Sequence, residues 1–156
     1  MKSKVFIEIT VALVILIFTY ASISKFIEYE KFIFQMKLAP IGIMKTLAPY
    51  LAWLVPCVEI LIVFLLSYNR TRTIGLYSSL FLFSLFELYI GAMMLSGLHL
   101  PCTCGGLISK MSWKQHLLFN AGYITIILLS LILNKRNNKS ENKSLEQDQV
   151  LSYSKG

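Results

Sequence analysis

The sequence predicts an all-α membrane protein, a bundle of four transmembrane helices with a short interfacial helix after the first span. Of its 156 residues, 56% are hydrophobic and 15% are charged, whereas a typical soluble domain is about 45–50% apolar and about 25% charged. The mean hydropathy is +0.64, and so short a chain has little interior in which to bury this much apolar surface. A soluble globular enzyme is therefore the weaker interpretation.

Four stretches are long and apolar enough to cross a bilayer, which takes roughly 20 residues. They are Val5–Ser24, Leu47–Tyr68, Thr73–Gly97 and Trp113–Leu133. The first could be a signal peptide, but its apolar run exceeds the roughly 7–15 residues of a signal core and no clear A-x-A cleavage site follows, so a retained anchor is favoured. Residues 1–134 are the predicted membrane domain, and the polar tail 135–156 is predicted to be disordered and cytoplasmic.

The distribution of Lys and Arg predicts that both termini lie in the cytoplasm. With the N-terminus inside, nine of the 15 basic residues lie on the inner side, as the positive-inside rule requires. The basic turn Tyr68–Arg72 is the most decisive feature, and Leu98–Ser112 then becomes an outer loop. No nucleic-acid partner is expected, because the basic residues do not cluster on one face.

The segment after the first span is predicted to be an amphipathic helix lying in the membrane interface. Phe26, Tyr29, Ile33 and Met36 follow helical spacing, and Pro40 ends the pattern. The alternative is that these residues continue the first helix beyond the membrane.

The string HLPCTCGG at residues 99–106 is the candidate site for chemistry. Cys102 and Cys104 can form a small strained disulfide of the readily exchanged kind, and outside the cytoplasm such chemistry is expected. Two alternatives stay open, an inert bridge or free thiols, and a metal site with His99 and His116. The C-x-C spacing is not the usual one for zinc, so no metal is expected.

Two carboxyl groups lie deep inside predicted spans, where ionisable residues are costly and are functional candidates. Glu59 and Glu87 lie roughly 16 Å and roughly 14 Å from the outer ends of their helices. At matched depth they predict a polar cluster below the C-x-C loop, serving as a proton site or contacting a quinone head group. The alternative is hydrogen bonding that only holds the bundle together. Cys57 is a weaker candidate, a possible third thiol, although a buried apolar role is more common for cysteine.

These residues resemble the MauE branch of the DoxX-like membrane proteins, over about residues 1–134. The resemblance is carried by Ser24-Lys25-Phe26, Phe32…Gln35, Pro56…Glu59 and Cys102-x-Cys104-x-Gly106. The family usually has an aromatic residue where this chain has Gly105. The resemblance implies a four-helix bundle in a bacterial inner membrane, with Cys102 and Cys104 as a redox pair and Glu59 as a membrane polar residue.

The family takes its name from methylamine utilisation, where its member is implicated in maturing a disulfide-rich periplasmic dehydrogenase subunit together with a thioredoxin-like partner. The leading hypothesis is therefore a membrane thiol–disulfide oxidoreductase component. Its C-x-C pair would exchange with a periplasmic thioredoxin-like protein, and electrons would pass to or from a membrane quinone. A non-catalytic assembly or export factor with a structural C-x-C bridge is the main alternative. Solute transport ranks last, because no inverted repeat is evident.

Overall fold

A computed structural model describes residues 2–37, 42–95 and 113–153. Within these ranges the chain forms five helices and no strand, namely α1 (Lys2–Ile27), α2 (Tyr29–Lys37), α3 (Gly42–Ser67), α4 (Arg72–Leu95) and α5 (Trp113–Tyr153). Four are long and apolar enough to cross a membrane, over Ser3–Ile27, Lys45–Ser67, Arg72–Ala92 and Lys114–Asn137. The predicted all-α fold with four spans is confirmed.

The four long helices form a closed ring in which each has two neighbours. Helices α1 and α4 each pack against both α3 and α5, so α1 and α4 face each other across the centre. There the rings of Phe18 and Phe83 stack with centroids 5.0 Å apart, and Phe83 also stacks on Tyr123 of α5 at 5.2 Å. Apolar and aromatic packing therefore fills the middle of the bundle.

Polar contacts between helices fix the register of the bundle. The Ser130 hydroxyl donates to the Thr10 hydroxyl at 2.9 Å, and the Ser3 hydroxyl donates to the Asn137 side chain at 3.1 Å. The start of α1 therefore lies beside the later part of α5, and the two helices are antiparallel. The end of α1, the end of α4 and the start of α5 consequently share one end of the bundle. We call it the cysteine end, because the segment that joins α4 to α5 carries Cys102 and Cys104.

The other end is closed by the tight connection between α3 and α4. The Thr71 hydroxyl donates to the Leu65 carbonyl at 2.8 Å, which satisfies one of the free carbonyls at the end of a helix. A Cβ atom on Gly75 would lie 2.9 Å from the side chain of Leu66, which is fully buried. Glycine at position 75 therefore allows the two helices to approach closely.

The predicted short helix after the first span is present as α2, and it packs against α3. The ring of Trp53 on α3 lies 5.5 Å from that of Phe26 and 5.8 Å from that of Tyr29. Backbone hydrogen bonds from Glu28 to Ser24 and from Phe32 to Glu28 bridge the break between α1 and α2. The segment is thus a distinct helix whose backbone hydrogen bonding is continuous with that of the first span.

The polar tail is helical over the part that the structure describes. Helix α5 continues to Tyr153, because residues 135–153 contain neither Pro nor Gly and several good helix formers. Asn137, at the start of this extension, accepts the hydrogen bond from Ser3. The division into a membrane domain and a separate tail at residue 134 stays a prediction.

We expect Gly75→Ala to destabilise the bundle by about 1–3 kcal/mol, since the added methyl group overpacks the contact with Leu66. Gly91→Ala, in the same helix, is the matched control, because a Cβ atom there meets nothing within 4 Å. Alanine forms helix better than glycine by about 1 kcal/mol, so this control should be neutral or slightly stabilising. Unfolding of both purified variants in detergent micelles would measure the difference, and equal stabilities would contradict the close approach.

Candidate functional site

A buried ion pair joins the first and second spans, helices α1 and α3. The Lys25 ammonium near the end of α1 donates to Oε1 of Glu59 on α3 at 2.6 Å. Lys25 is 6% exposed and Glu59 is 0% exposed, so each charge is removed from solvent and depends on the other. The sequence identified Glu59 as an intramembrane carboxyl group but did not identify Lys25 as its partner.

Aromatic rings surround the ammonium group of this pair. The Lys25 nitrogen lies 5.9 Å from the ring centroid of Phe32 on α2 and 5.5 Å from that of Phe86 on α4. Both distances fall within the range for cation–π attraction. Because Phe32 belongs to α2, the short helix supplies part of the environment that the buried charge requires.

The seam between α1 and α3 is built from two pairs of residues at helical spacing. Ser22 and Lys25 lie three residues apart on α1, and Pro56 and Glu59 lie three residues apart on α3. Such spacing places both members of a pair on one helix face. The Ser22 hydroxyl donates to the Pro56 carbonyl at 3.3 Å, while Lys25 meets Glu59. The Pro-x-x-Glu string therefore presents one backbone acceptor and one carboxylate to α1.

Helices α4 and α5 bring three more polar side chains to the same end of the bundle. The Glu87 carboxyl on α4 interacts with the side-chain amide of Asn120 on α5. One turn before Asn120, His116 interacts electrostatically with Lys25. His116 is 8% exposed and Asn120 is 4% exposed. These five residues, contributed by all four long helices, are called the polar layer below.

Several atoms of the polar layer can bind a further polar partner. Among the residues that the structure describes, Oε2 of Glu59, Oε2 of Glu87, Nδ1 of His116 and Nδ2 of Asn120 are buried and make no hydrogen bond. Although the Asn120 amide lies near the Glu87 carboxyl, its Nδ2 atom does not meet the geometric criteria for a hydrogen bond to it. Buried polar atoms in proteins are nearly always hydrogen-bonded to protein or ordered water, so this density of unpaired atoms is unusual and marks the layer as the candidate site.

Of the three predicted thiols, the structure describes only Cys57. Cys102, Cys104 and His99 lie outside the described residues. Cys57 forms no disulfide and is exposed on the surface of α3, two residues from the buried Glu59 and therefore on the opposite side of the helix. The interpretation of Cys57 as a third thiol stays a prediction. Within residues 2–37, 42–95 and 113–153, no group of three His, Cys, Asp or Glu side chains could hold a metal ion.

Sequence reasoning missed the partners of the two carboxyl groups. Lys25 was visible as the centre of the Ser24-Lys25-Phe26 string, but a basic residue at the end of a span is ordinarily assigned to the aqueous side. His116 and Asn120 carried a usable signal, since they are polar and lie four residues apart at the start of an apolar span, hence on one helix face.

Comparison with known protein families identifies a match to the model described as "Methylamine utilisation protein MauE", over residues 3–133. The matched range contains nearly all of the four candidate spans, every residue of the polar layer and the C-x-C string. No curated protein and no solved structure matches the chain.

Lys25→Met should destabilise the bundle by about 3–5 kcal/mol, because it leaves the Glu59 carboxylate buried without its cation. The double variant Lys25→Met/Glu59→Leu should recover most of that loss, since replacing a whole buried pair by apolar residues is often close to neutral. Unfolding in detergent micelles measures both effects.

Lys31→Met is the matched control for this comparison. Lys31 also pairs with a glutamate, Glu28, but its side chain is 64% exposed, and exposed pairs are worth about 0–1 kcal/mol. If Lys25→Met and Lys31→Met unfolded alike, the buried pair would not have the structural role given to it here.

Proposed function

The chain belongs to the family of methylamine utilisation protein MauE, and on that premise we propose that it supports thiol–disulfide chemistry of extracytoplasmic proteins. It is a multi-pass membrane protein by its family and its four apolar helices. In the proposal it resides in a bacterial inner membrane with both termini in the cytoplasm. Cys102 and Cys104 then act on the periplasmic side, where disulfides persist.

One observation carries the proposal, the gathering of the polar layer at the cysteine end of the bundle. Helix α4 ends at Leu95 and α5 begins at Trp113, and the residues between them include both thiols. Glu87 lies in the last part of α4, and His116 in the first turn of α5. Ionisable groups inside spans are costly and commonly mark proton or ligand sites. Since Glu87 and His116 lie on the two helices that flank this segment, they favour chemistry over a purely structural C-x-C bridge.

The proposed exchange conserves electrons and protons. A thiolate of a reduced partner attacks one sulfur of the Cys102–Cys104 disulfide, giving a mixed disulfide and releasing the other cysteine as a thiolate. A second partner thiolate resolves the mixed disulfide, so that the partner is oxidised by two electrons and the pair becomes a dithiol. The reverse sequence delivers two electrons to an oxidised partner. A periplasmic thioredoxin-like protein fits either direction.

A membrane quinone completes the proposed cycle. In the oxidising direction the Cys102/Cys104 dithiol loses two electrons and two protons and returns to the disulfide, while the quinone gains them and becomes a quinol. The carboxyl groups of Glu59 and Glu87, the two that the sequence singled out, are the candidate intramembrane groups for this step. The lipid bilayer supplies such a carrier directly to the surface of the bundle.

Cys104→Ser should trap a mixed disulfide between Cys102 and an oxidised periplasmic partner, because in the reverse sequence Cys104 is the thiol that would attack the adduct and release the partner. Non-reducing electrophoresis of cells expressing tagged protein measures the adduct, which should disappear with reductant. The variant should remain folded.

Two controls make the trapping experiment decisive. Cys57→Ser/Cys104→Ser should trap as well as Cys104→Ser, since Cys57 lies on the surface of the span. The Cys102→Ser/Cys104→Ser double variant should trap nothing. Trapping that persists in this double variant would refute the exchange, and full function of the double variant in the cell would favour the assembly-factor interpretation.

The proposed topology has its own test. A charged, membrane-impermeant maleimide should label Cys102 and Cys104 in intact cells after mild reduction and not before it. A Cys102→Ser/Cys104→Ser variant, which keeps only Cys57, should stay unlabelled because that thiol lies within a candidate span. Labelling of the pair only after the cells are permeabilised would place the C-x-C segment on the cytoplasmic side and overturn the proposed orientation.

A further inference from the structure

The geometry points to a division of labour between the two carboxyl groups of the polar layer. We propose that Lys25–Glu59 is a fixed structural pair, and that Glu87, with Asn120 and His116, is the proton-exchanging site that serves the thiols. This inference deepens the proposed thiol–disulfide function and rests on it. It assigns the proton chemistry to α4 and α5, the two helices that the C-x-C segment joins.

Glu59 is poorly placed to exchange protons. Its side chain is fully buried, and one oxygen lies 2.6 Å from the Lys25 ammonium. The rings of Phe32 and Phe86 lie close to that ammonium. Protonating Glu59 would leave Lys25 as an uncompensated buried charge, which is strongly unfavourable.

Glu87 differs from Glu59 in both its partner and its exposure. Among the residues described, no Lys or Arg lies within ion-pair distance of Glu87, and its neighbour Asn120 is a neutral amide. It is only partly buried, yet its Oε2 atom is buried without a hydrogen bond. Such a carboxyl group can gain or lose a proton without breaking an ion pair.

His116 lies toward the cysteine end from Asn120, the neighbour of Glu87. It lies one turn before Asn120 on α5, nearer to the segment with the thiols, and its Nδ1 atom makes no hydrogen bond to any described residue. An imidazole can accept a proton on one nitrogen and donate from the other. When a quinone oxidises the Cys102/Cys104 dithiol, two protons leave the thiols and two bind to the quinone oxygens. His116 and Glu87 pass these protons one at a time and end the cycle unchanged.

Dicyclohexylcarbodiimide provides a direct test, because this apolar reagent reacts with carboxyl groups that carry a proton within a membrane. Purified protein in lipid vesicles is treated with the reagent, digested and mapped by mass spectrometry. The adduct should form on Glu87 at least tenfold more than on Glu59. Glu87→Gln should abolish the intramembrane adduct, and Glu8→Gln, a change in an exposed carboxyl group of α1, should leave it intact. An adduct chiefly on Glu59, or none on Glu87, would overturn the inference.

A second measurement separates this inference from the proposed function. In Glu87→Gln, reoxidation of the Cys102/Cys104 dithiol by a short-chain ubiquinone should be about 100-fold slower, the size typical of losing one acid–base group. Exchange of the same pair with dithiothreitol should be unchanged, since that step takes its protons from water. An unchanged quinone rate would remove Glu87 from the reaction and leave the exchange function standing. If the wild-type Cys102/Cys104 pair did not exchange with any thiol, the proposed thiol–disulfide function would be wrong. The carbodiimide adduct on Glu87 would still show that this carboxyl group carries a proton.

Discussion

Desolvation of the Lys25–Glu59 pair constrains how the rest of the bundle is arranged. Each charge alone would be unfavourable by several kcal/mol in an apolar interior, so α1 and α3 have to be neighbours with these two side chains in contact. The hydrogen bond from Ser22 to Pro56 lies on the same seam. Around the ammonium, α2 and α4 each supply an aromatic ring, so one ion pair determines the position of four helices at this end of the molecule.

Three of the four strings that carry the family resemblance contribute a residue at this ion pair. Ser24-Lys25-Phe26 supplies the cation, Pro56…Glu59 supplies the carboxylate, and Phe32 lies beside the ammonium. Their shared location explains why residues so far apart in the sequence form one pattern. The residues of this pattern hold the helices in place at the cysteine end. Glu87 and His116, which are proposed to exchange protons, come instead from the helices that flank the thiols.

The sequence was sufficient to predict the four spans, the short helix and the two intramembrane carboxyl groups, because hydropathy and run length determine them. It could not predict the partners of those carboxyl groups. Spans that are apolar on all sides give little information about how each helix is rotated, and Lys25 has a long side chain that can extend toward water or toward a buried anion.

The separation of Lys25 from Glu59 along the chain has a consequence for biosynthesis. The two residues are 34 positions apart, so the lysine leaves the ribosome well before its counterion. Until the second membrane span enters the insertion machinery, the end of the first has to remain at the headgroup level, where water solvates the ammonium. Final insertion of the first span is therefore coupled to arrival of the second, and the nascent chain matures in a set order.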